Sequence, residues 1–233
     1  MSIFTKTKQK IRRRKLTKLG VETSFCKNSK LFGGDHGWVL DESKISEDSV
    51  IYSVGVGSNI DFDIALIERF NLVVHAFDPT PRSIEWVENQ SITKNFKFYP
   101  LGLGGKDGTM NFFPPARESS THFSPVKRYD EGDGDLITAP VKSLTSIASD
   151  LGHNHIDLLK MDIEGAEYEV IDSLQASKIT VDQILVEFHH MYKGIPIERT
   201  IDAIEKLKAI GFELFNISQR TYEFSFIRKD LNL

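Results

Sequence analysis

Four short runs of aliphatic and β-branched residues, each ending at a glycine, an acid or a histidine and each followed by a helical pattern, constrain this chain most. VIYSVGVG (50–57), LVVHAF (72–77), IDLLKMDI (156–163) and QILVEFH (183–189) show little polar alternation, as expected of parallel strands covered on both faces. Between the first two, Ile60, Ile64 and Ile67 on one face and Phe62, Leu66 and Phe70 on another predict a mostly buried helix over 59–70. Ser58 or Asn59 can cap it, and Asp61 suits the positive end of its dipole.

After the second run, Pro79 stops the strand, and Thr80 with Pro81 opens a helix over 81–90, since proline is pre-set for the first helical position. A third strand, FKFYPLGL (96–103), a further one, TMNFFP (109–114), and extended TAPVKSL (138–144) precede helices over 144–151, 167–178 and 196–210. The last helix is punctuated by Pro196 and Gly211. FELFNIS (212–218) and TYEFSFIRK (221–229) then read as an antiparallel hairpin. The expected fold is α/β: a Rossmann-like, three-layer αβα architecture on a mostly parallel seven-stranded sheet with an antiparallel C-terminal hairpin strand. A length of 233 residues suits one such domain, expected over 50–233, behind an arm and lead-in over 1–49.

The arm is basic. Residues 1–20 hold Lys6, Lys8, Lys10, Arg12, Arg13, Arg14, Lys15 and Lys18 with no acid, so a net charge of −4 for the chain leaves −12 for the remainder. The plain expectation is a solvated lead-in, and the other is an arm that touches an anionic membrane surface, a polyanion or a neighbouring subunit. An acidic body disfavours nucleic acid as substrate. Cys26 is the one cysteine, so no intramolecular disulfide forms, and no apolar run approaches the roughly 20 residues that span a bilayer. The expectation is a cytoplasmic protein, with a homo-oligomer left open.

In open α/β sheets ligands sit beyond the carboxyl ends of the strands, near the point where strand order reverses. There the first run offers Gly55 and Gly57, which let the backbone turn tightly against a ligand. The second is followed by Asp78, 21 positions beyond Gly57, a spacing that suits a carboxylate accepting ribose hydroxyls. Together these point to an adenosine-type ligand, and Ile60, where the dinucleotide fingerprint requires glycine, disfavours NAD. Gly102 closes the third strand. The fourth places Asp162, Glu164 and Glu167 in one turn, where burial of acids calls for partners. The fifth supplies Glu187 and His189 on one face by the two-residue period, with His190 facing away. An acid and an imidazole there can deprotonate a hydroxyl, with His189 or Glu187 ahead of Asp162 as base.

His36 and Trp38 in the lead-in and His122 in the long loop over 114–137 are weaker candidates for a lid or an acceptor pocket. No metal site is expected: Asp130, Glu131, Asp133 and Asp135 lack the spacing of a calcium loop and read as a solvated face. The chain contains no HExxH, GxSxG, paired CxxC or phosphate-loop lysine motif.

YSVGVGSN (52–59), HAFDPTP (75–81), LLKMDIEGAE (158–167) and ILVEFH (184–189) together resemble the FkbM-type family of S-adenosylmethionine-dependent methyltransferases over about residues 50–228. The resemblance implies a class I methyltransferase fold with S-adenosyl-L-methionine as cofactor. It implies Ser53, Gly55, Gly57, Asp78 and Gly102 around the cofactor, and Asp162 and Glu164 near its methyl group. Ser53 stands where many class I enzymes have an acid, and Asn59 where they have a third glycine. The implied reaction is O-methylation of a small acceptor, a carbohydrate or secondary metabolite. Two alternatives remain: an N-methyltransferase, and a non-catalytic scaffold that works through the basic arm.

Overall fold

The structure is a computed structural model that describes residues 3–115, 120–127, 135–192 and 194–231, the side chains of residues 3–6 and 36 excepted. Helix α1 (Ile3–Lys18) precedes the hairpin β1 (Ser29–Phe32) and β2 (Trp38–Asp41). The alternating part follows as β3 (Ile51–Val54), α2 (Asp61–Phe70), β4 (Val74–Phe77), α3 (Pro81–Glu88) and β5 (Phe96–Tyr99). Short strands β6 (Gly102–Leu103), β7 (Gly108–Phe112) and β8 (Ile137–Lys142) form a separate three-stranded sheet. Then come α4 (Leu144–Leu151), β9 (His155–Met161), α5 (Glu167–Leu174), β10 (Thr180–Glu187), α6 (Ile197–Ala209), β11 (Phe212–Ile217) and β12 (Glu223–Arg228).

The main sheet has seven strands in the order β11-β12-β10-β9-β3-β4-β5. The pairs β9/β10, β3/β9, β3/β4 and β4/β5 are parallel, and β12 runs antiparallel to both of its neighbours. This is the α/β, Rossmann-like arrangement that the run pattern predicts. Strand order reverses between β3 and β9, so their carboxyl ends open the crevice where such folds bind ligands.

Alternation along the central strands buries both faces. Ile51, Leu158, Leu66 and Val74 pack in one core layer, while Tyr52, Val54, Leu159, Met161 and Ile204 pack in the other. Ser53 and Lys160 are register partners across β3 and β9. By the two-residue period they share the layer that also holds Leu66 of α2 and Trp38 and Leu40 of β2. The hairpin is pinned there, since Asp41 N–H donates to Gln183 Oε1 at 2.8 Å and Gln183 Nε2 donates to the Asp41 carbonyl at 3.2 Å.

Two local expectations change. The run at 96–103 divides, because Gly102 and Leu103 leave the main sheet to pair with Val141 and Lys142 of β8. The N-terminal segment is a helix docked on the body: Leu16 is 1% exposed in the core, Arg12 lies 4.5 Å over the Tyr222 ring, and Arg13 Nη1 donates to the Ile217 carbonyl at 3.1 Å. A sequence this polar shows no apolar stripe, and tertiary contacts supply what intrinsic propensity does not. No described helix is long and apolar enough to cross a membrane.

The buried leucine of α1 gives a direct test. Leu16→Ala should cost about 2–4 kcal/mol in urea unfolding, as large-to-small core changes do, whereas a solvated arm would keep the change within about 0.5 kcal/mol.

Candidate active site

The turn after β3 is shaped by a backbone crossing. Gly55 has φ +83°, and a Cβ there would stand 1.7 Å from the Asp162 carbonyl oxygen, so no other residue fits. Gly55 N–H donates to the Phe77 carbonyl at 2.9 Å, and Asp162 N–H donates to the Val54 carbonyl at 3.0 Å, which ties the ends of β3, β4 and β9 together. Gly57, at φ +56°, presents no side chain to the cavity beyond the turn.

Asp78 holds this turn. Its Oδ2 accepts the N–H groups of Val56 (3.1 Å) and Gly57 (3.0 Å), and its Oδ1 accepts the N–H (2.9 Å) and hydroxyl (2.7 Å) of Thr80. Those four bonds match the acceptor capacity of an ionised carboxylate. The sequence suggests ribose hydroxyls as the partners of Asp78, and in this structure the protein's own turn occupies them.

The cavity at the reversal point has a volume of about 340 Å³, within the range of small-molecule sites. Gly55, Gly57, Asp78, Gly102, His122, Asp162 and Glu164 all line it, joined by Trp38, Asp63, Phe123, Lys160 and Arg220. Gly102 has a packing role as well, because a Cβ would lie 2.9 Å from Val141 Cγ1. Ser53 is fully buried and lies outside the lining, as do the buried His189 and the partly buried Glu187. His36 ends a 3₁₀ turn over Gly34–His36, and its side chain is outside the described residues, as are Asp130, Glu131 and Asp133.

Asp63 and Lys160 are the buried charged lining residues that sequence reasoning missed. Lys160 donates from Nζ to the carbonyls of Gly55 (2.7 Å) and Val54 (3.3 Å). Asp63 is 3% exposed and its Oδ1 has no hydrogen-bond partner among the described residues. Burial pushes its carboxyl up, against the pull of the Lys160 charge. The available signal was Lys160 itself, a charge within a buried strand.

Behind the cavity wall, acids gather around one imidazole. Glu167, fully buried at the start of α5, accepts the N–H groups of Gly165 and His189, each at 2.9 Å, and its Oε1 lies 3.3 Å from His189 Nδ1. His189 Nε2 points between Glu164 Oε2 at 3.6 Å and Asp162 Oδ1 at 3.7 Å. Burial opposes charge on His189, but the carboxylates of Glu167, Glu164 and Asp162 outweigh it and push the imidazolium up to about 10.

Burial also raises Glu187 to about 7, reinforced by the Asp162 charge, while Arg220 stands 3.6 Å away. Asp162 is raised by burial and by Glu164. Glu164 is desolvated, yet its hydrogen bond with His122 and the charge of His189 hold it down at about 2. Tyr192 donates its hydroxyl to the same carboxylate. Glu164 is left-handed, with φ +57°, and the Ser124 hydroxyl donates to its carbonyl at 2.6 Å. Residues 120–127 thus clasp the turn, and Arg82 holds them from α3 by donating to the Ser120 carbonyl at 2.7 Å.

A model of the methyltransferase FkbM domain matches residues 52–214. A human protein named "Probable methyltransferase-like protein 24" is 23% identical over 177 residues, covering 71% of this chain and 42% of that protein. The rat protein of the same name is 24% identical, with the same coverage. The chain therefore spans about two-fifths of the length of these relatives. A protein of Sinorhizobium fredii named "2-O-methyltransferase NoeI" is 23% identical over 182 residues, covering 70% of this chain and 74% of its own length.

Asp78→Asn keeps the volume but turns an acceptor into a donor that faces N–H groups. It should lower stability by about 2 kcal/mol or more, since bonds to a charged acceptor are worth about 1.5–3 kcal/mol each, seen as a lower urea midpoint at unchanged slope. Unchanged stability with weaker adenosine binding alone would mean that the carboxylate serves the ligand instead.

Proposed function

The chain belongs to the FkbM methyltransferase family, and from that premise we propose that it transfers the methyl group of S-adenosylmethionine to a hydroxyl of a small acceptor, a carbohydrate or similar metabolite. The observation that carries this reading is the cavity at the strand-order reversal, glycine-lined on one side and carboxylate-lined on the other. The relative named as a 2-O-methyltransferase supports oxygen as the acceptor atom.

The residues present fit this cofactor. A side chain at Gly57 would crowd Thr121 in the cavity wall, and the buried carboxyl of Asp63, which lines the cavity, suits the ammonium group of an amino acid. Asp78 acts by fixing the turn whose backbone meets the adenosine. Asp162 and Glu164 give the far wall the negative charge that complements a sulfonium. S-adenosylmethionine, when bound, supplies a methyl group on a positively charged sulfur that departs as a neutral thioether.

Asp162 is the proposed catalytic residue. It lies in the cavity wall, where it orients the acceptor hydroxyl and takes its proton as the new oxygen–carbon bond forms. Alignment within about 3–3.5 Å and exclusion of water carry most of the remaining task, and Phe123 and Trp38 provide apolar cover. Behind the wall, His189 is a positioning residue whose charge faces Asp162, and Glu187 is a like-charged neighbour of Asp162 that stands 3.6 Å from Arg220.

Calorimetry with S-adenosylhomocysteine, NAD and ATP tests the donor: binding of the first alone, weakened about tenfold by Asp63→Asn through loss of a charge-assisted contact, is expected. Failure of the wild-type protein to bind it would sink the reading. With a hydroxylated sugar as acceptor, Asp162→Asn should slow turnover by about 10²–10⁴-fold, as loss of a proton acceptor does, with donor affinity changed less than about threefold.

A further inference from the structure

Asp162, Glu164 and His189 each bring one ligand atom within 4.8 Å of the others, where β9 and β10 end. His189 is 3% exposed, and its ring is aimed by Glu167, whose Oε1 takes the main-chain N–H and faces Nδ1. That leaves Nε2 pointing between two carboxylates at 3.6 and 3.7 Å, beyond hydrogen-bonding distance of either. A cation with bonds of about 2.0–2.2 Å to nitrogen and oxygen closes such a gap.

We propose that Asp162, Glu164 and His189 form a divalent-cation site, with Glu167 as the carboxylate that orients the histidine. A ligating histidine normally gives its other ring nitrogen to a carboxylate in this way. One imidazole with two carboxylates suits a first-row ion such as Mn²⁺ better than Mg²⁺, which prefers oxygen and retains its waters. The absence of a calcium-type loop at 130–135 does not bear on this cluster, which the fold assembles from two strand ends.

Resting on the methyl-transfer reading, the site adds a function to it. Asp162 and Glu164 also line the cavity, so a bound cation would lie beside the acceptor and lower the cost of deprotonating its hydroxyl, taking over the role that the free Asp162 carboxylate has without it. A second trio, His155, Asp157 and Asp182, meets the same distance criterion. It lies at the opposite end of β9 and β10, and its imidazole has no nitrogen to spare, because Nδ1 of His155 is bonded to Thr180 and Nε2 to Asp182; in the first trio Glu164 is bonded to His122 and Tyr192, and the nitrogen left over is His189 Nε2. It serves as the internal control.

The metal-free full chain is titrated with Mn²⁺ while free ion is counted by electron paramagnetic resonance, and with Co²⁺ while its visible absorption is followed. One stoichiometric site is expected, weakened at least about tenfold in His189→Ala and Asp162→Asn and unchanged in Asp182→Asn. Thermal unfolding identifies any variant that has lost its fold, and His189→Gln, closer in volume, then decides. No stoichiometric site in the wild type, a site that survives the His189 replacements, or one lost in Asp182→Asn overturns the proposal. Neither titration needs donor or turnover, so metal binding without S-adenosylhomocysteine binding would fault the methyl-transfer reading and leave the cation site standing.

Discussion

The close passage of Gly55 over the Asp162 carbonyl is the constraint on which the rest of the site depends. A Cβ at Gly55 would sit 1.7 Å from that oxygen, so the ends of β3 and β9 approach this closely only because the side chain is missing. The contact draws the glycine turn and the acid-bearing turn to one crevice. Asp78 then fixes the first turn from β4, and Lys160 fixes it from β9 through the carbonyls of Gly55 and Val54. A pocket wall whose backbone is tied in this way by the protein's own hydrogen bonds needs less ordering when a ligand binds.

Charge sets the other wall. Asp162, Glu164, Glu167 and Glu187 converge on His189, with Arg220 at the edge. Buried carboxylates persist when hydrogen bonds and opposite charge offset their desolvation. Glu167 meets that condition through two N–H groups and His189, and Glu164 meets it through His122 and Tyr192. Asp162 has the weakest support of the set: its nearest cation is His189 Nε2 at 3.7 Å, and its carboxyl is raised. Glu164 and Asp162 both line the cavity, and of the two Asp162 is the one without a hydrogen-bonded side-chain partner among the described residues, so its unmet demand is directed at a ligand.

The sheet was legible because strands buried on both faces leave a continuous apolar signature, and the acids at their ends break it. The parallel pairing of β3, β4, β9 and β10 and the reversed β12 follow from those runs and the closing hairpin, whereas the order of the strands is seen only in the structure. The pairing of β1 with β2 was not legible, since four-residue strands such as SKLF show no period. Nor was the docking of α1, which rests on Leu16 and two arginines. Asp78 was visible as a residue, but its partners were not: spacing places a carboxylate near a glycine turn without saying whether backbone or ligand fills its acceptors. The grouping of Asp162, Glu164 and His189 was hidden for a similar reason, because neighbours within the DIEG turn and the residues after β10 meet only through the register of two strands.

Glu164 shows how the segment before β8 reaches the chemistry. A left-handed non-glycine residue stores on the order of 1–3 kcal/mol and persists only where its surroundings enforce it. Here the enforcing contacts come from residues 120–127: the Ser124 hydroxyl bonds the Glu164 carbonyl, His122 meets its carboxylate, and Val126 packs where a Cβ on Gly165 would stand. Ser124 is itself paired with Phe113 at the end of β7, so the clasp is anchored in the small sheet rather than in the main one. The direction of Glu164, and with it half of the carboxylate wall, is therefore set by a peripheral sheet.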